Sequence, residues 1–209
     1  MSKTTCMNEV KIMKLLNNVS FMYSPSKVIF NDFSLTVPDP GLTWIKGKNG
    51  SGKSTLLKLI LGIMKPAAGY IPAANLDWSY VPDSSELFFQ GISARIFYEY
   101  TIKLLKLKQE QSWSQIKRFQ AQLGFDNSLL DQNISTLSLG QKKKALIIAA
   151  LLNPSKYMVL DEPFSGLDQQ TVLKLVTIIN SLAKDKLILL TAHNFKEENL
   201  TVAKEIILQ

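Results

Sequence analysis

The sequence predicts an α/β fold with a mostly parallel sheet, an N-terminal antiparallel β subdomain and an inserted α-helical subdomain. Two apolar strands, at 157–161 and 186–193, are separated by one amphipathic helix over 169–183. Continuous apolar strands joined through a helix are typical of a parallel sheet that is covered on both faces. Earlier in the chain, a strand at 42–47 runs into a glycine-rich loop and then into an apolar helix over 54–64. Ligands of such sheets bind beyond the carboxyl ends of the strands.

The 209 residues are expected to form a single domain (1–209) with one insertion. The core is predicted to comprise about 8–85 and 136–209, and the helical subdomain about 86–135. The strand at 33–37 alternates apolar and polar residues, as a half-buried strand does.

Two amphipathic helices are predicted in the insertion, at 92–108 and 112–124. Ser112 is the expected N-cap of the second helix, and Gly124 lies just past its end. Asp168 is the expected N-cap of the helix at 169–183.

The composition is that of a packed globular protein, with 46% hydrophobic and 20% charged residues. The net charge of +7 favours an anionic partner, although charge alone is more often explained by a solvated basic surface. A single cysteine, Cys6, excludes an internal disulfide. The start of the sequence lacks the apolar stretch of a signal peptide, and the longest apolar run, 145–152, is too short for a membrane helix. We therefore expect a cytoplasmic protein whose membrane role, if any, comes through a partner.

The segment GKNGSGKST at 47–55 matches the pattern G-x-x-x-x-G-K-[ST]. Its glycines let backbone N–H groups turn inward around phosphate oxygens, and the following helix directs its positive end at the same anion. Lys53 is expected to reach the β- and γ-phosphates, and the Ser54 hydroxyl is expected to bind Mg²⁺. We therefore predict a P-loop NTPase core that binds ATP and Mg²⁺. The predicted nucleotide-binding residues of this loop are Gly47, Lys48, Asn49, Gly50, Ser51, Gly52, Lys53, Ser54 and Thr55.

Two adjacent carboxylates, Asp161 and Glu162, stand at the end of the strand at 157–161. Successive side chains of a strand point to opposite faces, so the two carboxylates are expected to have different roles. Asp161 suits Mg²⁺, bound through water, and Glu162 suits a general base that acts on the attacking water. A solvated acidic loop is the alternative interpretation.

His193 is the only histidine and ends the apolar run at 186–193. It is expected at the sheet edge where phosphate binds, and there it would donate a hydrogen bond to the γ-phosphate. A structural histidine is the alternative. The predicted catalytic residues are Glu162, His193 and Lys53.

Together, in their order along the chain, these motifs resemble the ATP-binding cassette (ABC) ATPase family. The matching segments are the Walker A loop at 47–55, the Walker B strand and glutamate at 157–162, the D-loop SGLD at 165–168, the H-switch His193, and LSLGQ at 137–141, which resembles the signature LSGGQ. The resemblance covers essentially the whole chain. It also implies that Tyr23 stacks on the adenine of ATP.

The resemblance implies a head-to-tail dimer with a second ATPase subunit. Ser138, Gly140 and Gln141 of one subunit would contact the γ-phosphate held by the phosphate loop (47–55) of the other. The three lysines at 142–144 would add positive field near that phosphate, with some of them facing solvent. The resemblance further implies a separate transmembrane permease subunit that contacts the helical subdomain, so that the chain lies on the inner face of the cell membrane.

The sequence departs from the family pattern at two functional positions. Leu139 replaces the first glycine of the signature, as in ATPases of bacterial peptide and antibiotic exporters, or it weakens the backbone approach to phosphate. The Q-loop glutamine is absent, and Asp83 stands in its place within the segment at 80–89. Asp83 is predicted to accept from a metal-bound water and is counted with Ser54 and Asp161 in the metal site. A turn residue after Pro82 is the alternative.

The leading functional hypothesis is the ATPase subunit of an exporter for a peptide or antibiotic-like compound. The short chain favours export, because importer ATPases often carry longer tails. Phe88, Phe89 and the helix from Ile92 are expected either to offer an apolar groove to the membrane partner or to belong to the core. The alternatives are a soluble ABC ATPase outside transport, for example in cofactor assembly, and a nucleotide-dependent regulatory module. Nucleic acid is not an expected partner, because the 84 residues between Lys53 and Leu137 leave no room for the coiled coil of DNA-repair members (137 − 53 = 84).

Overall fold

The computed structural model describes residues 10–83, 91–193 and 199–209. The elements in chain order are β1 (Lys11–Ser24), β2 (Lys27–Asp39), β3 (Gly41–Gly47), α1 (Lys53–Ile60), β4 (Ala68–Tyr70), β5 (Trp78–Val81), α2 (Ala94–Leu104), α3 (Gln109–Leu123), α4 (Leu139–Leu152), β6 (Tyr157–Asp161), α5 (Gln169–Leu182), β7 (Leu187–Thr191) and β8 (Lys204–Leu208). Over these ranges, no helix is both long enough and apolar enough to cross a membrane.

The strands form two sheets. The first contains β2, β1 and β4, in that order, and its strand pairs are antiparallel. The second contains five strands in the order β5-β6-β7-β3-β8, and all of its pairs are parallel. The predicted α/β class, with a parallel core sheet and an N-terminal antiparallel β subdomain, is therefore confirmed.

The parallel sheet is covered on both faces, and its strands β6 and β7 are apolar up to their last residues, Asp161 and Thr191. Alternate side chains of a strand point to opposite faces. One face, which includes Met158, Leu160, Ile188 and Leu190, packs on a layer built from α2, α3, α4 and α5. The other face, which includes Val159, Leu187 and Leu189, packs on α1 and the antiparallel sheet. The two inserted helices, α2 and α3, thus share one continuous core with the sheet.

Two of the three predicted helix caps are confirmed. Gly124 follows α3 in the left-handed conformation (φ 64°), and the Asp168 carboxylate accepts from the N–H of Thr171 at 2.8 Å at the start of α5. The prediction that Ser112 is an N-cap is wrong, because α3 begins one turn earlier, at Gln109. The Ser112 hydroxyl instead donates to the carbonyl oxygen of Lys108 at 2.9 Å, a bond that serine makes within a helix.

Tyr98 is the largest completely buried side chain of the described residues, and it anchors α2 in the core. Burial raises the pKa of its hydroxyl far above the ordinary value. The hydroxyl oxygen is buried and forms no hydrogen bond with the described part of the chain. A buried polar group without a partner lowers stability, whereas the ring stabilises the core through its apolar area.

We expect Tyr98→Phe to leave the free energy of unfolding unchanged or to raise it by up to about 1 kcal/mol, because only the unpaired hydroxyl is removed. Tyr98→Ala should lower it by about 3–5 kcal/mol, since a large cavity is left. Urea denaturation followed by circular dichroism measures both effects. Tyr100→Ala is the matched control, because Tyr100 lies on the same helix with 64% of its surface exposed. A loss of more than 1 kcal/mol in Tyr98→Phe would contradict this interpretation.

Candidate active site

The phosphate loop connects the carboxyl end of β3 to α1. Gly50 and Gly52 have φ angles of 82° and 94°, which residues other than glycine rarely adopt. A Cβ atom on Gly52 would also lie 2.7 Å from the side chain of Ile29. The N–H of Ser51 donates to the carbonyl oxygen of Lys48 at 3.2 Å and closes the turn. The pattern of glycines therefore matches a loop whose backbone curls tightly before α1.

Lys53 points back into this loop and is 7% exposed. Its ammonium donates to the carbonyl oxygens of Gly47 and Lys48 at 2.9 and 3.1 Å, and it lies 2.8 Å from Nε2 of His193. Burial lowers the pKa of Lys53, and the negative charges of Glu162 and Asp161 act in the opposite direction. The ammonium therefore stays within the loop, where a phosphate would replace some of its acceptors.

Tyr23 reaches the far end of the loop from β1. Its hydroxyl forms a hydrogen bond with the Thr55 hydroxyl at 3.0 Å, and its side chain is 52% exposed. The Lys27 ammonium lies 5.5 Å from the centroid of its ring. The position of Tyr23 beside the loop agrees with the adenine contact, which stays a prediction.

The carboxylates of Asp161 and Glu162 are bound by different groups of the segment 191–193. Asp161 ends β6 and is buried, and one of its carboxylate oxygens accepts from the Thr191 hydroxyl at 2.5 Å. The N–H of Glu162 donates to the same hydroxyl at 3.0 Å, and Oε2 of Glu162 accepts from the N–H of His193 at 2.8 Å. Glu162 has φ 48°, a conformation that is uncommon for any residue except glycine and is often found at functional sites.

His193 completes the cluster at this sheet edge. Its Nε2 lies 2.8 Å from the ammonium of Lys53 and 3.5 Å from Oε1 of Glu162. A protonated lysine only donates, so the Lys53 ammonium donates this bond and Nε2 of His193 accepts it. The four residues Lys53, Asp161, Glu162 and His193, predicted from separate motifs, are thus brought together.

Thr191 was not among the predicted site residues, although it links the two acidic ones. It is completely buried, and its hydroxyl donates to Asp161 while it accepts from Glu162. The available signal was a single polar residue at the end of the apolar strand LILLT, directly before the segment that carries His193.

The oxygen groups at this edge fit Mg²⁺. The Ser54 hydroxyl is exposed at the start of α1, and the Asp161 carboxylate ends the neighbouring β6. Hydroxyl and carboxylate oxygens are the ligands that Mg²⁺ prefers, together with water and phosphate oxygens. No group of three or more His, Cys, Asp or Glu side chains that could hold a metal occurs in the described ranges. Ser54 and Asp161 would thus hold the ion with water and phosphate.

Asp83 follows β5, and its carboxylate lies 3.9 Å from the ammonium of Lys143. Its assignment to the metal site stays a prediction. Phe88 and Phe89, and the other residues that follow Asp83 in the segment at 80–89, lie outside the described residues.

The signature segment (137–141) begins α4. Ser138 is the N-cap: its hydroxyl accepts from the N–H of Gln141 at 3.2 Å, and its own N–H donates to the Gln141 side chain at 2.8 Å. Leu139 is 50% exposed, and a Cβ atom on Gly166 would lie 3.2 Å from its side chain. The signature segment therefore packs on the D-loop of its own chain, and its contact with a partner's phosphate stays a prediction.

Of the three lysines at 142–144, Lys143 is completely buried, and the positive field expected from the three stays a prediction. Lys144 also bonds within its own chain, since its ammonium donates to the Gly124 carbonyl oxygen at 3.3 Å and lies 3.5 Å from the Asp168 carboxylate. A lysine side chain is long enough to leave the positive start of the helix and reach oxygens on neighbouring segments.

We expect Thr191→Val to lower the free energy of unfolding by about 1–3 kcal/mol, because the Asp161 oxygen and the Glu162 N–H both lose a buried partner. Thr191→Ser is the matched control, since it keeps the hydroxyl, and it should stay closer to the parent protein. Urea denaturation of the three proteins measures the difference. A Thr191→Val variant as stable as the parent protein, with a loss only in Thr191→Ser, would show that packing of the methyl group, and not the hydroxyl, stabilises this edge.

Comparisons with known proteins agree with this geometry. Residues 30–165 match the family model described as ABC transporter. The chain is 35% identical over 182 residues to the cytochrome c biogenesis ATP-binding export protein CcmA of Reclinomonas americana, covering 83% of this chain and 81% of that protein. It is 34% identical over 182 residues to the zinc import ATP-binding protein ZnuC of Wigglesworthia glossinidia brevipalpis, covering 85% of this chain and 69% of that protein.

The fold is similar to that of a dimeric ATP-binding cassette solved in a post-hydrolysis state with ADP and phosphate. The TM-score is 0.78 at 22% identity, over 94% of each chain. The family model matches 30–165, a range that includes the phosphate loop and the acidic pair, and His193 lies on the same sheet edge. The chain belongs to the ABC transporter family, as an ATP-binding subunit that hydrolyses ATP with Mg²⁺.

Proposed function

We propose that the chain powers the export of a peptide or antibiotic-like compound through a separate transmembrane permease. It would act with a second ATPase subunit, in a head-to-tail dimer on the cytoplasmic face of the cell membrane. The similarity to CcmA, named as an export protein, supports export, whereas ZnuC is named for zinc import. The direction of transport therefore rests on Leu139, which gives the signature the form found in peptide and antibiotic exporters.

An exposed apolar stripe on α2 is the observation that carries the docking part of the proposal. Ile96, Tyr100 and Leu104 are 39%, 64% and 82% exposed. They are spaced four residues apart, so they lie on one face of the helix. Neighbouring exposed apolar side chains mark an interaction surface. Ile92 is not part of this stripe, because it is partly buried against the core.

The site suggests a division of roles in hydrolysis. Glu162 would orient the attacking water and accept its proton, because its carboxylate is held by the His193 backbone and one oxygen is left without a hydrogen bond to the described residues. Lys53 would move from the carbonyl oxygens of its own loop to the phosphates. Once Lys53 has moved to the phosphates, Nε2 of His193 would be released from this bond, and in its protonated form it would donate a hydrogen bond to the γ-phosphate.

We expect Glu162→Gln to lower the rate of ATP hydrolysis about 10²–10⁴-fold while ATP binding is retained, since glutamine cannot accept the proton. The variant should also form a stable dimer in ATP, which light scattering would detect. Glu110→Gln, at an exposed residue in the first turn of α3, is the matched control. If Glu162→Gln hydrolyses ATP at the parent rate, the general-base assignment is wrong.

The stripe is tested by Tyr100→Glu combined with Leu104→Glu. We expect the parent protein to co-purify with a polytopic membrane protein from detergent-solubilised membranes. The double variant should no longer bind this membrane protein, because charge is unfavourable in an apolar contact. Leu173→Glu, at a residue of α5 that is 47% exposed, is the control and should retain the partner. Recovery of only soluble partners with the parent protein would favour an ABC ATPase outside transport.

The same preparation tests the direction of transport. In proteoliposomes with ATP and Mg²⁺ added outside, the outward-facing ATPase subunits would drive a labelled peptide into the lumen, away from the ATP. Movement toward the side that holds ATP would instead assign an importer and would remove the interpretation of Leu139.

A further inference from the structure

Lys143 is a lysine with no exposed surface, in the first half of α4. Its ammonium donates to the carbonyl oxygen of Pro82 at 3.0 Å and to that of Asp161 at 3.4 Å, and it lies 3.9 Å from the Asp83 carboxylate. A buried ammonium is costly unless hydrogen bonds and an opposite charge compensate it. Its surroundings therefore need an explanation beyond packing.

The two carbonyl oxygens belong to neighbouring strands. Pro82 directly follows β5, Asp161 ends β6, and the two strands are paired in parallel. Lys143 itself lies four residues after Leu139, one turn into the helix that begins with the signature segment. One side chain thus joins the helix of the signature segment to two of the strand ends that form the ATP site.

Carbonyl oxygens are neutral, so the positive charge has to be balanced by carboxylates. Burial lowers the pKa of Lys143, and the negative charges of Asp83, Asp161 and Glu162 act in the opposite direction. Of these three, Asp83 is the carboxylate for which an ion-pair distance to Lys143 is observed. It also stands where the family pattern has an uncharged glutamine.

We propose that Lys143 and Asp83 form one functional pair, in which Lys143 is a positioning residue that fixes the signature helix to the ends of β5 and β6. Asp83 then acts by holding the Lys143 ammonium between the two strands. A displacement of the first turns of α4 moves this ammonium relative to Asp161, the residue before Glu162. The pair therefore couples the position of the signature segment to the positions of Asp161 and Glu162. This coupling does not depend on the direction of transport.

A double-mutant cycle on ATP hydrolysis by the full chain tests the pair. Asp83→Asn removes the charge at nearly constant shape, and Lys143→Met removes the ammonium from a side chain of similar length. We expect each single variant to lower kcat about tenfold with a smaller change in KM, because the acidic residues are displaced while the phosphate loop is intact. The double variant should be no slower than the slower single variant. If the two losses multiply, so that the double variant is about a hundredfold slower, the residues act independently and the proposal is overturned.

A conservative variant separates positioning from general destabilisation. Asp83→Glu keeps the charge and should retain kcat within about twofold, whereas Asp83→Asn should not. This comparison also carries the test if Lys143→Met does not fold. Lys174→Met, at an exposed lysine of α5, is the matched control for the loss of one lysine and should hydrolyse ATP at the parent rate. The proposal is wrong if Asp83→Asn has the kcat of the parent protein, or if Asp83→Glu lowers kcat as much as Asp83→Asn does.

A non-catalytic measurement distinguishes the pair from a metal ligand. Thermal unfolding of the nucleotide-free proteins, without added Mg²⁺, should show the same non-additivity between positions 83 and 143. Additive shifts in Tm, together with a raised Mg²⁺ requirement in Asp83→Asn alone, would contradict the proposal. They would instead support the prediction that Asp83 belongs to the metal site.

Discussion

The parallel pairing of β6 with β7, and of β7 with β3, is the constraint on which the site depends. It places both Asp161 and Ile45 opposite Thr191. Ile45 lies two positions before Gly47, where the phosphate loop begins. Because β6 and β7 are buried on both faces, a slip of one residue would exchange the two sets of core side chains. The hydrophobic core therefore fixes the register, and the register brings the carboxylates and His193 to the end of β3 where Lys53 is found.

The acidic pair serves two buried ammonium groups. Lys53 approaches from the phosphate loop, and Lys143 approaches from the helix of the signature segment. In both cases burial lowers the pKa of the lysine and the charges of Asp161 and Glu162 oppose the effect. A change in the position of either carboxylate therefore alters the electrostatic interaction with both lysines. This shared electrostatic environment connects the segment that holds phosphate to the segment expected to face a partner subunit.

The sequence was sufficient to predict the strands β3, β6 and β7 of the parallel sheet, the phosphate loop, the acidic pair and the cap at Asp168, because each depends on local spacing or on a fixed motif. It was not sufficient for Thr191 or Lys143, whose partners lie on other strands. Thr191 bonds a residue 30 positions away, and Lys143 bonds one 61 positions away. The error at Ser112 has a different origin, since a serine in a helix can bond the preceding turn as readily as it caps one.

Three lysines near the start of a helix conflict with its dipole, and a phosphate from another subunit is not needed to explain two of them. Lys143 and Lys144 direct their ammonium groups to carbonyl and carboxylate oxygens of their own chain, while Ser138 and Gln141 cap the helix. The helix start is thus internally satisfied before any partner binds. The predicted contact with a partner's phosphate would therefore use the backbone around Gly140, beside the half-exposed Leu139. Because Leu139 also packs on Gly166, a partner that displaces this leucine would move the signature segment and the D-loop together.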